Sequence, residues 1–224
     1  LSGDLLNQCT AASYAFRDVD TPYLGLFGAC STMSESLVIA SMMIDSGSVD
    51  YAVCAASSHF CSAERQFRFP LEYGSQRTPT AQWTVTGAGA LILGKEGQGP
   101  RITCITPGKI IDEGIKDSNN MGAAMAPAAY DTIRSHLIDT GRNGDDFDMI
   151  LTGDLGSFGS AMLRDLLKRS NIDLKDKHKD CGLLIFDIEK QGVDCGGSGC
   201  GCSAVVLSTY ILNLFMQGTI KRLL

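Results

Sequence analysis

Two short stretches, each opening an apolar helix, decide the fold: Gly28-Ala29-Cys30-Ser31 and Cys200-Gly201-Cys202-Ser203. A second pair, Leu1-Ser2-Gly3-Asp4-Leu5 and Leu151-Thr152-Gly153-Asp154-Leu155, precedes them in the same order. Matched motifs in matched order indicate an internal repeat, so we predict two copies of one βαβ unit that share a core. We assign residues 1–100 to the first half and residues 101–224 to the second.

Around these motifs, short apolar runs alternate with longer amphipathic ones, which is typical of an α/β fold. Residues 59–84 are predicted to form a long polar loop, and Pro127 is placed in the first turn of its helix. The predicted helices are Thr10–Val19, Ser31–Ser46, Ala123–Thr140, Ser160–Arg169 and Ser203–Met216. The predicted strands are Tyr23–Phe27, Tyr51–Ser57, a hairpin of Thr84–Leu93 with Arg101–Thr106, Met149–Thr152 and Gly182–Asp187.

The repeat also predicts missing elements. The second copy carries about 50 residues before its Leu-Thr-Gly-Asp motif that have no counterpart before Leu1. The partner of the Tyr51–Ser57 strand is expected at residues 223–229. We therefore expect the chain to be a fragment that lacks N-terminal and C-terminal parts.

Composition excludes several classes of protein. Apolar residues make up 44% and charged residues 20%, so the chain is globular. A net charge of −6 argues against a nucleic-acid partner, because phosphate neutralisation needs a basic surface. No apolar run is long enough to cross a bilayer, and we expect no signal peptide. The nine cysteines are therefore expected to be reduced thiols.

Cys30 stands where a strand is predicted to meet a buried helix. Unsatisfied N–H groups and the dipole at a helix N-terminus favour a thiolate, which suits a nucleophile or a ligand-facing thiol. The alternative is that Cys30 is a small buried residue like other cysteines. Cys195, Cys200 and Cys202 do not have zinc-site spacing, so we interpret them as packing residues and predict no metal site.

A doubled βαβ unit with a cysteine opening a buried helix resembles the thiolase superfamily, which includes the β-ketoacyl-carrier-protein synthases. Further motifs resemble one family within it, the stage V sporulation AD proteins. These motifs are Gly3–Gln8, Phe27–Thr32, Ser57–His59, Ala63–Arg68, Glu72–Gly74, Ala124–Ala129 and Gly196–Cys200.

The resemblance implies a thiolase-like fold with duplicated βαβ halves in α-β-α-β-α layers, and a homodimer. It implies binding of dipicolinic acid, alone or as its calcium chelate, for uptake into the developing spore, with no other cofactor. It also implies other proteins of a spore membrane transport complex as partners. The expected location is the cytoplasm or the surface of the spore or forespore inner membrane, without secretion.

Condensing enzymes of the superfamily pair their cysteine with His and Asn, or with two His. By resemblance, Gly153-Asp154 replaces the His, and Ser198 stands near the Asn position. We therefore predict a binding protein and assign no catalytic residue, with Cys30 as candidate nucleophile. The alternatives are an acyltransferase or condensing enzyme that uses Cys30 with His59, and a pure scaffold for a membrane complex. His136 and His178 are predicted to be solvated.

The predicted ligand site combines N–H donors and cations that suit a dicarboxylate. An extended segment would place Arg65 and Arg68 on one face and Phe67 and Phe69 on the other, although surface or dimer contacts are an equal alternative for the arginines. Asp4 and Asp154 either cap the helices that follow them or coordinate calcium. The predicted ligand-binding residues are Cys30, Ser31, His59, Arg65, Arg68, Asp154, Ser198, Gly199 and Cys200.

Overall fold

The computed structural model describes residues 1–67, 72 and 77–224. Its strands are β1 (Ser2–Asp4), β2 (Tyr51–Ser58), β3 (Trp83–Thr84), β4 (Gly87–Gly94), β5 (Ile150–Thr152), β6 (His178–Asp180) and β7 (Gly197–Ser198). Its α-helices are α1 (Thr10–Phe16), α2 (Thr32–Asp45), α3 (Phe60–Phe67), α4 (Met121–Thr140), α5 (Gly156–Arg169), α6 (Cys181–Leu184), α7 (Ile188–Gln191), α8 (Cys200–Val206) and α9 (Leu212–Met216). A π-helical segment, Leu207–Ile211, joins α8 to α9.

The first sheet has the order β1-β2-β4, with β1 parallel and β4 antiparallel to β2. Side chains alternate along β2, so that Ala52, Cys54 and Ala56 are buried. They share one apolar cluster with Met33 of α2 and Ala204 of α8. The two helices that the repeated motifs open therefore pack against the same face of this sheet.

The second sheet repeats part of this arrangement. Strand β5 pairs in parallel with β6 on one side and bridges Leu223 in parallel on the other. Strand β1 likewise pairs with β2 and bridges Gly25, in parallel on both sides. Helices α4 and α5 pack against each other over the core around β5. The division into halves at residues 1–100 and 101–224 stays a prediction.

The structure confirms the predicted helices at α1, α2, α4, α5 and α8–α9, and the predicted strands at β2, β4 and β5. Pairing between Met149 and Leu223 also begins where the second partner strand was predicted. Pro127 was placed wrongly, because α4 begins at Met121 and Pro127 falls inside it rather than in its first turn.

The strand predicted at Gly182–Asp187 is wrong. The strand beside β5 is the polar segment His178–Asp180, and the chain turns into α6 directly after it. A side chain at Gly182 would meet the carbonyl oxygen of Gly197 at 2.5 Å, so this glycine permits the close turn. The apolar run that follows packs in part against the cluster around Cys181.

Three further predictions of local structure are wrong. The described part of residues 59–84 contains α3 and β3 rather than one loop, and α3 rules out an extended segment at Arg65 and Phe67. Residues 101–106 form no strand, and Thr106 instead contacts α4, where its hydroxyl meets His136 Nδ1 at 2.8 Å. Residues 23–27 form one bridge to β1 instead of a buried strand, and Phe27 is 44% exposed.

Two of the three histidines also differ from prediction. His136 and His178 are buried rather than solvated. Each ring hydrogen-bonds the hydroxyl of a threonine, Thr106 and Thr152 respectively, which offsets its loss of water. Among the residues that the structure describes, no helix combines the length and apolar character needed to cross a bilayer.

Candidate functional site

The turn before α2 presents Cys30. Residues Ala29–Ser31 form one 3₁₀ turn, and Ala29 has a φ of 49°, in the left-handed region. A residue with a side chain pays about 1 kcal/mol or more for this conformation. The Thr32 hydroxyl holds the turn, since it donates to the Ala29 carbonyl oxygen at 2.8 Å and accepts from Gly28 N–H at 3.2 Å.

The side chain of Cys30 faces a carboxylate. Its thiol lies close enough to Asp154, which is 6% exposed at the carboxyl end of β5, for the charge of that carboxylate to act on it. Asp154 Oδ2 accepts from Gly199 N–H at 2.8 Å, and Ser198 lies near the same carboxylate. Cys200 lies close enough to interact with Cys30 electrostatically. The structure thus brings together Cys30, Asp154, Ser198, Gly199 and Cys200 from the predicted site.

Electrostatics in this cluster keep the thiol protonated. Burial raises the pKa of Cys30 well above its ordinary value, and the charge of Asp154 raises it further. Burial also raises the pKa of Asp154, although the bonds from Cys30, Gly199 and Ser198 oppose that rise. A nucleophilic cysteine needs a lowered pKa, so this environment acts against thiolate chemistry.

Asp4 and Asp154 occupy equivalent motifs but play different parts. Asp4 accepts from Leu6 N–H at 2.6 Å and from Ala12 N–H, in the first turn of α1, at 2.7 Å. The prediction of a capping role is therefore confirmed for Asp4. It is wrong for Asp154, because Asp180 takes the N–H groups that begin α5.

Asp180 caps α5 from β6. Its carboxylate accepts from Leu155 N–H at 2.9 Å, from Gly156 N–H at 3.0 Å and from the Thr152 hydroxyl at 2.6 Å. Burial raises its pKa to about 6. Asp180 was not predicted from the sequence, where its one signal is an aspartate closing a charged stretch immediately before Cys181. Gln82 was not predicted either, because its buried side chain has no distinguishing motif.

The glycine loop offers fewer free N–H donors than predicted. Gly199 N–H is taken by Asp154, and Gly201 N–H is taken by the Ser58 hydroxyl at 3.1 Å. The cysteines of this region contact different partners: Cys200 Sγ donates to Ser57 O at 2.9 Å, whereas Cys195 Sγ accepts from the Ser157 hydroxyl at 3.2 Å. Within the described residues, no group of three or more His, Cys, Asp or Glu side chains is arranged to hold a metal ion.

The remaining predicted site residues lie elsewhere. His59 is exposed and lines a cavity of about 380 Å³ with Asp4, Ser57 and Ser58, and Cys30 is not among the described residues that line it. Arg65 is exposed on α3, and the exposed Ser31 donates its hydroxyl to Gly28 O at 2.8 Å. Arg68, like Phe69 and Tyr73, lies outside the residues that the structure describes.

Comparison with solved structures defines the class of fold. The chain superimposes on 3-oxoacyl-(acyl carrier protein) synthase III from Pseudomonas aeruginosa PAO1 with a TM-score of 0.60. The match covers 97% of this chain and 67% of that one, at 13% identity. A cysteine-to-serine variant of Xanthomonas campestris OleA, with bound lauric acid and lauroyl-CoA, gives the same TM-score, coverage and identity. The predicted thiolase-like α/β fold is thus confirmed.

Sequence comparison then defines the family. The model of the stage V sporulation protein AD family matches residues 1–224. Stage V sporulation protein AD of Bacillus subtilis (strain 168) is 48% identical over 222 residues, which are 99% of this chain and 65% of that protein. The chain belongs to the stage V sporulation protein AD family, as its motifs predicted, and spans about two thirds of the length of this relative.

Proposed function

We propose that this chain is part of a non-catalytic protein of thiolase-like fold that binds dipicolinate, as its calcium chelate, for uptake into the developing spore. The observation that supports the non-catalytic role is the Asp154 carboxylate beside the Cys30 thiol. Family membership supports the role in the spore.

Carbon–carbon condensation needs a thiolate and groups that polarise a carbonyl. Here a carboxylate stands beside the thiol and raises its pKa. Among the described residues, His136 and His178 bond threonines away from Cys30, and His59 lines a separate cavity. These positions support binding without acyl transfer.

The same carboxylate favours the chelate over the free ligand. A dicarboxylate dianion beside Asp154 would be repelled, because like charges destabilise each other in a buried site. Calcium prefers oxygen ligands and would offset both charges. We propose Asp154 as one oxygen ligand of the bound chelate, with Cys30 and Ser198 contacting it beside the metal.

Calorimetry on the full-length protein tests this function, with dipicolinate alone, calcium alone and the two together. We expect binding of the mixture, and a loss of about tenfold or more in affinity for Asp154→Asn, because the ligand oxygen loses its charge. Cys61→Ala, at an exposed thiol, is the matched control and should bind as the wild type does. An absence of binding with and without calcium would overturn the proposal.

The rival function is acyl transfer on Cys30, which the fold of the condensing enzymes and the position of Cys30 before α2 favour. Incubation with an acyl-coenzyme A, followed by mass spectrometry, separates the two functions. We expect no stable adduct on Cys30. An adduct on the wild type that disappears in Cys30→Ser would establish the enzyme instead.

We also propose a homodimer that works with other proteins of a spore membrane transport complex, in the cytoplasm or on the spore or forespore inner membrane. A pure scaffold would not need Cys30. We therefore expect Cys30→Ala to impair dipicolinate uptake while leaving folding and partner binding intact, and normal uptake in that variant would favour the scaffold.

A further inference from the structure

One buried amide joins the two loops that build the candidate site. Gln82 is 2% exposed and directly precedes β3. Its Nε2 donates to the carbonyl oxygen of Asp154 and, at 3.0 Å, to that of Gly197. We infer that Gln82 is a positioning residue, which holds these loops so that Asp154 reaches both Gly199 and Cys30. This inference rests on the proposed binding site.

The loops come from distant parts of the chain. Asp154 follows β5, and Gly197 belongs to β7, which pairs in parallel with β3 through Trp83 and Thr84. The pairing places Gln82 at the end of the small β3–β7 sheet. From there its side chain donates a hydrogen bond to the carbonyl oxygen of Asp154, and the Asp154 carboxylate accepts one from Gly199 N–H. The amide and the carboxylate are thus two cross-links between the same pair of loops.

The chemistry of this cross-link requires a primary amide. Two carbonyl oxygens need two hydrogens from one short side chain, and the NH₂ group of Gln supplies both. A carboxylate at this position supplies none, and a thioether of similar length supplies none. Gly156 leaves room for the amide, because a side chain there would come within 3.1 Å of Gln82 Nε2 and would clash with Cys195 O.

Loss of the cross-link leaves two buried carbonyls without this donor and frees the Asp154 loop. An unsatisfied buried carbonyl is costly, so the loops relax to regain hydrogen bonds. Movement of Asp154 relative to Gly199 takes its carboxylate away from Cys30. The titratable groups that face Cys30 are Asp154, Cys200 and Cys202, and Asp154 is the charged one among them.

Alkylation of Cys30 by iodoacetamide measures this displacement. The full-length protein is labelled at a series of pH values, and the Cys30 peptide is quantified by mass spectrometry. The exposed Cys61 and Cys104 are internal references. We expect Gln82→Met to raise the alkylation rate of Cys30 relative to the references about tenfold at pH 8, because the displaced loop no longer covers the thiol or holds a carboxylate beside it.

A double-variant comparison separates positioning from simple destabilisation. If Gln82 acts through Asp154, the double variant Q82M/D154N should label no faster at Cys30 than Asp154→Asn alone. Ser36→Ala is the matched control, because it loses another buried hydrogen bond, 2.7 Å long, within α2 itself. It should lower the melting temperature without changing the pH profile of Cys30. Multiplicative effects of Q82M and D154N would overturn the inference.

A second variant and a second measurement cover the cases in which Gln82→Met does not fold or the wild type binds no dipicolinate. If Gln82→Met does not fold, Gln82→Asn retains the amide on a shorter side chain and should give the same direction of change. Calorimetry with calcium and dipicolinate adds an affinity measurement, with an expected loss of about tenfold or more in the Gln82 variant. If the wild type binds no dipicolinate, the proposed function fails, whereas the alkylation result still decides the role of Gln82.

Discussion

At the scale of single residues, a chain of hydrogen bonds links a surface cation to the N-terminus of α5. The Arg164 guanidinium donates to His178 Nδ1 at 3.4 Å, so the other ring nitrogen carries the hydrogen and donates to Thr152 at 3.0 Å. Thr152 in turn donates to Asp180. Burial lowers the pKa of His178 to about 4, with Arg164 contributing, and raises that of Asp180 to about 6.

These two shifts have opposite consequences for stability. The raised pKa of Asp180 makes the folded state gain stability as pH falls from about 6 to about 4. The lowered pKa of His178 makes the unfolded state bind a proton first, so stability falls as pH decreases from 6.5 to about 4. Each shift corresponds to about 3 kcal/mol, so the two contributions nearly cancel.

We therefore predict opposite pH dependences for two variants. Relative to wild type, His178→Gln should become more stable as pH falls from 6.5 to about 4, because Asp180 alone then acts. Asp180→Asn should become less stable over the same interval, beyond its uniform loss from a weaker cap. Urea unfolding of the full-length protein across this pH range measures both. Parallel plots of unfolding free energy against pH for the wild type and both variants would contradict the prediction.

At the scale of elements, α4 and α5 contact each other through a pair of glycines. A side chain at Gly159 of α5 would lie 2.8 Å from Gly122 Cα of α4, and one at Gly122 would lie 2.9 Å from Gly159 N. Moving α4 away from α5 would disrupt the core that the two helices share, which includes Ala126, Leu163 and Leu167.

We predict that Gly159→Ala lowers the free energy of unfolding by about 1–3 kcal/mol, although alanine favours a helix more than glycine does. The added methyl group must push α4 away from α5. Gly97→Ala is the matched control, because nothing lies within 4 Å of a side chain at that position. Chemical denaturation of the full-length protein compares the two, and an equal stability of both variants would argue against a tight contact.

Elements whose side chains are buried in a regular pattern were predicted correctly from the sequence. Strand β2 alternates buried and open side chains, and α2 and α8 follow the repeated cysteine motifs. Prediction from the sequence failed where polar side chains are buried. The segment His178–Asp180 is polar but forms a buried strand, since its side chains bond Thr152 and the start of α5.

The same limit applies to the candidate site. Cys30, Asp154 and the Ser198–Cys200 loop were found because the repeat and the family motifs mark them. His59 was placed in the site because it follows β2, but it points into the cavity beside Asp4. Gln82 escaped notice because a bond across 72 residues leaves no local pattern.

At the scale of the whole molecule, one face of the first sheet is open. Tyr51 is 72% exposed and Ile92 is 75% exposed, and the exposed Val53 pairs directly with Ile92 in the β2–β4 register. In the described part of the chain, β2 is the strand that pairs with β4, so the other edge of β4 has no strand beside it. Open apolar faces and edges promote association.

We predict that residues 1–224, expressed alone, self-associate and unfold without a sharp transition. Ile92→Lys should shift this chain toward the monomer, because a charge on the open face opposes burial. Sedimentation velocity measures the distribution. Lys95→Glu, at an exposed position just beyond the strand, is the control and should leave it unchanged. A cooperative, monomeric melt of the unmodified chain would contradict the prediction.

The distance in sequence between the partners of Cys30 also has a consequence during synthesis. Asp154 follows Cys30 by 124 residues, since 154 − 30 = 124. At typical rates of translation, roughly 6 to 25 s separate the appearance of the two side chains from the ribosome. Throughout that interval the thiol has neither its carboxylate neighbour nor the cover of the Gly199 loop. Cys30 is therefore most open to oxidation or alkylation in the nascent chain, and folding of the second half reduces that exposure.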